Sequence, residues 1–504
     1  MRLYIALTGV ALAIAAVCGA PLAWDGSYYL VKVLDTQGLW MPHNRLSNIL
    51  LQWPVLLASH VTDNLAILRL TFALPYLATP LVAVAAGWWI VRRPSPDLFV
   101  WAALGIGLGT LPGQFNMNSE DLQAVQLFWP VLLATLVGLP RRTLVVVAPL
   151  LVYILVAHPI ASVLCLLGAG AAVIVGLRER TARRIMLMWA VMLVALAVAR
   201  YAIGRDSYEA NALTLSTLVH GFEVSLIGVP LVALSCAWSA AIVTAMTDGR
   251  KGEWGGHGRL TPPQIRACVT MVGGAALLIL GAHTARTPRD WVALSLAPPL
   301  GAAGILIARC IRPARRYEPA VPLFYGIVGV ALVGCLLVPW GWDPVAWSSA
   351  IDFRDWVLPS SLPFMLLAIG EGAHDNRHRS DLSGRMALHR MRMIQGAGVV
   401  FLAVLVAQSI SLARLTGVLR RDMEARSTPC IVASSMPGLG GTPLGHWSIA
   451  SFALLQQSRS PMKLVLQGDG CAEFSRSGLV RITTWDATLG SGWFDLRWVR
   501  TRAA

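Results

Sequence analysis

The sequence predicts an all-α polytopic membrane protein, and three observations carry that prediction. Apolar runs of roughly 18 to 22 residues recur along the chain, each long enough to cross about 30 Å of hydrocarbon as a helix. Of the 504 residues 56% are hydrophobic and only 13% are charged, against roughly 25% charged in soluble domains. The arginines gather in short loops between the apolar runs. Lipid offers backbone groups no partners, so a spanning segment must satisfy its own, and these runs lack the alternation of barrel strands. The net charge of +15 therefore reads as a topology signal, and no nucleic-acid partner is expected.

In chain order, the first apolar run, 3–22, has the look of a signal peptide. It is long and more membrane protein follows, so it reads as an uncleaved span. Further spans are expected near 70–91, 97–114, 122–139, 143–157, 159–177, 185–203, 222–246, 267–284, 291–308, 321–340, 356–371 and 394–412, about thirteen in all. With a cytoplasmic N-terminus, about 22 Lys and Arg fall in inner loops and about 8 in outer loops before the tail, as the positive-inside rule requires. The transmembrane part is then 1–412, with a first outer loop over 24–69. Stretches 27–37 and 45–60 of that loop mix aromatic and aliphatic residues with Lys32, Asp35, Arg45, His60 and Asp63, the pattern of helices lying in the membrane interface.

An odd number of spans puts the tail, 413–504, outside. Strand-like pieces at Lys463–Gln467 and Leu479–Thr484 among Gly-rich turns predict a small α+β domain there. Its Trp447, Trp485, Trp493 and Trp498 suit headgroup anchoring or sugar stacking. Cys430 and Cys471 are the two cysteines of this stretch, and an oxidising compartment would let them pair. The other six, Cys18, Cys165, Cys236, Cys268, Cys310 and Cys335, sit in or beside spans at no metal-ligand spacing and read as small buried hydrophobes.

The chemistry is expected in the outer loops. Asp25 follows the first span directly, in Trp24-Asp25-Gly26-Ser27-Tyr28-Tyr29, and the second outer loop ends in Glu120-Asp121. Each carboxylate alone reads equally as a solvated loop charge or a helix cap; their shared side of the membrane, beside low-dielectric surroundings, marks them as functional candidates. His158, at the reversal Ala157-His158-Pro159, either caps a helix end or orients a phosphate or acceptor. Asp343, Asp352 and Asp355 share a later outer loop with four tryptophans. No Walker motif, dinucleotide fingerprint or H-E-x-x-H occurs, so direct ATP-driven pumping is not expected.

This layout resembles the GT-C superfamily of glycosyltransferases, polytopic enzymes that take a sugar from a polyprenyl-phosphate donor at the outer membrane face. The resemblance rests on Asp25 after the first span, a long first outer loop with interfacial helices (27–60), an acidic second outer loop (Glu120, Asp121), about thirteen spans and an external C-terminal domain. The first loop departs from many members in that Gly26, not a second acidic residue, follows Asp25.

The resemblance implies Asp25 as general base toward an acceptor hydroxyl, with Glu120 and Asp121 as further catalytic residues. Arg45, Arg200 and Arg205 would meet the departing lipid phosphate, with His158 and Tyr28 as further substrate contacts. Each arginine singly also reads as a snorkelling interfacial side chain. No cofactor is fixed; a divalent cation is the class that the acidic loops admit. The expected partners are a polyprenyl-phosphate-linked sugar, the bilayer, and a glycan, lipid or protein acceptor. The alternative is a transporter or flippase for a lipid-linked saccharide, which predicts ionisable groups in mid-span, whereas nearly all of them fall at span ends. The Ala-, Val- and Arg-rich usage points to a bacterial inner membrane with the tail in the periplasm.

Overall fold

The computed structural model describes residues 2–23, 25–41, 45–113, 119–179, 182–202, 357–372, 405–436, 448–457, 464–466, 471–472 and 475. Helices account for 82% of them. In chain order these are α1 (Arg2–Val17), α2 (Asp25–Thr36), α3 (Ser47–Ser59), α4 (Leu65–Val91), α5 (Phe99–Gly113), α6 (Glu120–Leu136), α7 (Leu144–Ala157), α8 (Ala161–Arg178), α9 (Arg183–Ala202) and α10 (Val357–Gly372). Then come α11 (405–425) and α12 (Ile449–Leu455), with strands β1 (Cys430–Val432) and β2 (Leu464–Leu466). The expected spans 222–246, 267–284, 291–308 and 321–340, and most of 394–412, lie outside the described residues.

Among the described residues three helices are long and apolar enough to cross a membrane: α4, α8 and α9. The first apolar run is shorter as a helix than as a sequence. It ends at Val17, and Gly19 takes a left-handed φ of 78° before the short 3-10 turn Ala20–Leu22, a conformation that costs glycine nothing. The chain is thereby bent so that α2 starts against its own approach. A Cβ on Gly26 would stand 1.7 Å from the Pro21 carbonyl oxygen. No side chain fits at position 26, an acidic one included.

The bundle is built round α6. All 17 of its residues are buried, and it packs against α4, α5, α7, α8 and α10. A helix apolar nearly all round belongs in such a place. Close approach depends on glycine: a Cβ on Gly105 of α5 would lie 2.2 Å from the Trp129 ring of α6. Within a mostly apolar core one cluster of polar side chains is buried, while much of α9's outward face is apolar. Asn48, Gln52, Glu120, Asp121, Gln123 and Gln126 are buried, while Ile185, Met188, Val191 and Val198 of α9 are exposed. Water would penalise that arrangement and lipid favours it.

Antiparallel neighbours give the bundle two distinct ends. At one, Arg45 and Asn48 bond Glu120 at the start of α6, and Tyr153 near the end of α7 donates to Gln123. Ser162 at the start of α8 donates to the Ala197 carbonyl near the end of α9. At the other end Tyr4 donates to the Ala103 carbonyl at 2.9 Å, Gly87 meets Leu133, Gly176 meets Met186 and Gly372 meets Leu136. Arg2, Arg92, Arg93, Arg141, Arg142, Arg178, Arg183 and Arg184 sit at or beside helix termini of this second end.

The helices expected over 27–37 and 45–60 are present as α2 and α3. Eight of the 12 residues of α2 are buried, so most of this helix is enclosed by protein. Part of its cover comes from the C-terminal segment. There α11 runs unbroken across residue 412, and β1, α12 and β2 form a strand–helix–strand unit with parallel strands, Ile431 opposite Val465. The helix α12 packs on both β2 and α2. Ser27 of α2 lies 3.2 Å from the Ser451 hydroxyl, and Arg69 of α4 donates to Gln456 at 2.6 Å. Cys430 and Cys471 are joined as a disulfide, their Cα atoms 5.7 Å apart.

Candidate functional site

At the first end of the bundle Glu120 is the organising group. It opens α6, where a carboxylate meets the unpaired amides of a helix N-terminus, and it is 1% exposed. Its Oε2 accepts from Arg45 Nη1 at 2.7 Å and its Oε1 from Asn48 Nδ2 at 2.6 Å. Asn48 in turn accepts from the Tyr76 hydroxyl at 3.2 Å. Donors on both carboxylate oxygens supply the hydrogen bonds that burial denies it from water. The bonds also fix the entry to α3 against α4 and α6.

Asp25 is the first residue of α2 and is partly exposed. It reaches the same neighbourhood through Tyr29, one turn along α2. Burial, then the negative charges of Glu120 and Asp25, push the Tyr29 phenol well above its ordinary range, with Arg45 acting in the opposite sense. Two carboxylates from α2 and α6 and one guanidinium therefore act on a single buried hydroxyl. Asp121, next in the chain, is buried, accepts from the Ser119 hydroxyl, and takes the Leu122 amide at 2.7 Å.

Tyr28 is buried with its ring edge-on to Trp40, and the Lys32 ammonium lies 5.0 Å from the Trp40 ring centre, a cation–π contact that closes this side of α2. His158 accepts the Ile160 amide on Nδ1 at 3.2 Å, in the turn that leads into α8. Arg200 lies in the last turn of α9, at the same end of the bundle as His158 and Glu120. Arg205 lies outside the described residues, as do the later outer loop with Asp343, Asp352 and Asp355 and the tail tryptophans. Among the described residues no three His, Cys, Asp or Glu side chains come together as a metal site.

Several polar residues of this neighbourhood escape a reading of loops alone: Asn48, Gln52, Tyr76, Gln123 and Tyr153. The signal for them is present but different in kind. Asn48 and Gln52 stand four apart in the otherwise apolar run 47–59, hence on one helical face, and Gln123 and Gln126 repeat the pattern three apart in α6.

Compared with known protein families, with curated proteins and with solved structures, the chain matches none.

Proposed function

We propose that the protein is a membrane glycosyltransferase that moves a sugar from a polyprenyl-phosphate donor to a cell-envelope acceptor at the membrane face carrying Asp25. The observation that carries this reading is the approach of Asp25 and Glu120, from helices far apart in sequence, to one end of a bundle whose outward faces are apolar. A lipid-borne donor suits such a bundle, because its polyprenyl chain stays in the bilayer while its sugar phosphate meets the polar end.

The two carboxylates divide the work. Glu120 is saturated by Arg45 and Asn48 and holds the architecture of the site. Asp25, partly exposed, accepts the proton of the acceptor hydroxyl as its oxygen bonds the anomeric carbon and the lipid phosphate leaves with the electrons of the broken C–O bond. Arg200, on the same end, is the described cation best situated to stabilise the leaving phosphate, with Arg205 just beyond it in sequence. About thirteen spans, an external α+β domain over 413–504 and a bacterial inner membrane with a periplasmic C-terminus complete the proposal. A divalent cation is the one cofactor class it admits.

A specific observation also favours the alternative, a transporter or flippase for a lipid-linked saccharide: Glu120 is a fully buried carboxylate flanked by two helix-borne tyrosines, a setting suited to ion coupling. One experiment separates the two. The purified protein and its Asp25→Asn variant are offered radiolabelled polyprenyl-phosphate sugars. Donor-dependent transfer or donor hydrolysis, reduced by a factor of about 10² or more in the variant, supports the enzyme. Binding without turnover in both proteins supports the transporter.

A further inference from the structure

We propose that the Cys430–Cys471 disulfide is the latch of a cover: closed, it keeps α12 seated on the start of α2 beside Asp25, and on its reduction α12 leaves that seat and the start of α2 opens to water. Such a cover serves an enzyme or a transporter alike.

The unit that carries α12 has little hold on itself. Among the described residues β1 and β2 pair only with each other, over three residues each, and a lone two-stranded sheet is marginal in water. The seven residues of α12 are too few for a helix that stands without packing. Cys430 opens β1 and Cys471 lies just beyond β2, so the disulfide ties the entry of the unit to its exit. A link between cysteines 41 residues apart acts by restricting the opened chain, and the longer the loop the larger the effect.

The seat on the bundle depends on that unit. No charged side chain is carried by α12, so no ion pair fastens it. Polar contacts at the seat run from Ser27 Oγ to the Ser451 hydroxyl at 3.2 Å and to the Ser448 carbonyl at 3.4 Å, and from Arg69 of α4 to Gln456, just past the helix, at 2.6 Å. The helix packs on both β2 and α2, and with the sheet undone it loses one of those two supports. Ser27 is 0% exposed and shares the first turn of α2 with Asp25.

Both cysteines are partly exposed, within reach of a small dithiol. A thiolate of the dithiol attacks one sulfur and the other leaves as a thiolate; the second thiol of the reductant then displaces the sulfur already bound. The chain gains two electrons and two protons, and the dithiol becomes a disulfide.

The test reads the accessibility of position 27 in the full-length protein in detergent micelles. Ser27→Cys is introduced in a chain without Cys18, Cys165, Cys236, Cys268, Cys310 and Cys335. Its reaction with a charged maleimide is followed from the mass of the peptide that carries it. Three forms are compared: the disulfide intact, the protein reduced by dithiothreitol and freed of the reductant, and Cys430→Ser/Cys471→Ser. Expected is slow labelling with the latch closed, and labelling faster by about tenfold or more in both opened forms. Ser47→Cys, at a site equally buried but on α3, must stay slow throughout, which separates a lifted cover from wider unfolding. Should Ser27→Cys fail to fold, Ser451→Cys reads the same contact from the side of α12. Fast labelling at position 27 with the disulfide intact would mean that α12 does not cover α2. An unchanged slow rate in the opened forms would mean that the seat holds without the latch, and a matching rise at Ser47→Cys that the disulfide supports the whole bundle. Any of the three overturns the proposal.

Discussion

At the residue scale the Arg45–Glu120 pair is the contact with most at stake, since the two side chains are 11% and 2% exposed. Taking away one member of a buried pair strands the other, at a cost of about 3 to 5 kcal/mol. Glu120→Ala is therefore expected to lower stability by about that much, and adding Arg45→Ala to recover part of the loss; thermal unfolding of the four proteins of the cycle in micelles measures it. Glu120→Gln keeps a shape that Asn48 can still bond and should cost less. Tyr29 supplies a pH prediction. Its phenol is raised well above the ordinary 10.0 by burial, then by Glu120 and Asp25. The folded protein thus holds a proton that the unfolded chain releases, so this contribution is intact below pH 10 and is lost as pH rises above it. Tyr29→Phe should flatten the alkaline fall in stability between about pH 10 and 11, read from denaturation midpoints.

At the element scale the helices of the first outer loop were legible in the sequence and their surroundings were not. Stretches 27–37 and 45–60 show helical mixing of apolar and polar residues, and α2 and α3 form there. The same pattern suits a helix on a membrane surface and a helix under a protein cover. Ser27, Ser448 and Ser451 show why sequence alone could not choose: the cover on α2 comes from α12, some 420 residues away in the chain. The strand β1 at Cys430–Val432 also went unread, because three residues are too few for a period-2 pattern to register. Contact between α5 and α6 depends on Gly105, whose Cβ would meet a Trp129 ring that is fully buried. Gly105→Ala is expected to cost about 1 to 3 kcal/mol through overpacking, and Trp129→Phe in the same chain to return part of it, since the smaller ring vacates the contested space.

At the scale of the whole molecule the distribution of charge makes the sharpest prediction. The arginines from Arg2 to Arg184 gather at the second end of the bundle, opposite Asp25, Glu120 and His158, and the positive-inside rule predicts that the arginine end faces the cytoplasm. Single free cysteines placed at Arg93 and at Asp63, in a chain freed of Cys18, Cys165, Cys236, Cys268, Cys310 and Cys335 and keeping the Cys430–Cys471 disulfide, should label oppositely in intact cells with a membrane-impermeant maleimide: Asp63→Cys reacts from outside and Arg93→Cys only after permeabilisation. The reverse pattern would put Asp25 in the cytoplasm and remove the lipid-linked donor from the proposal.

The sequence by itself determined that this is a helical protein of the membrane, because the length and polarity of its apolar runs are local properties that lipid tests one helix at a time. It also set which residues fall at helix ends, since charges are costly in the hydrocarbon and collect at its borders. Only the tertiary structure decided which of those ends meet. Glu120 and Asp121 are adjacent in the chain and alike in chemistry, yet Glu120 bonds Arg45, just before α3, and Asn48 within it, while Asp121 takes the Ser119 hydroxyl and the Leu122 amide of its own segment. That difference arises from the rotation of α6 against α3 and α4, fixed by packing among distant residues such as Tyr76, Gly105 and Trp129, and a one-dimensional pattern does not carry it.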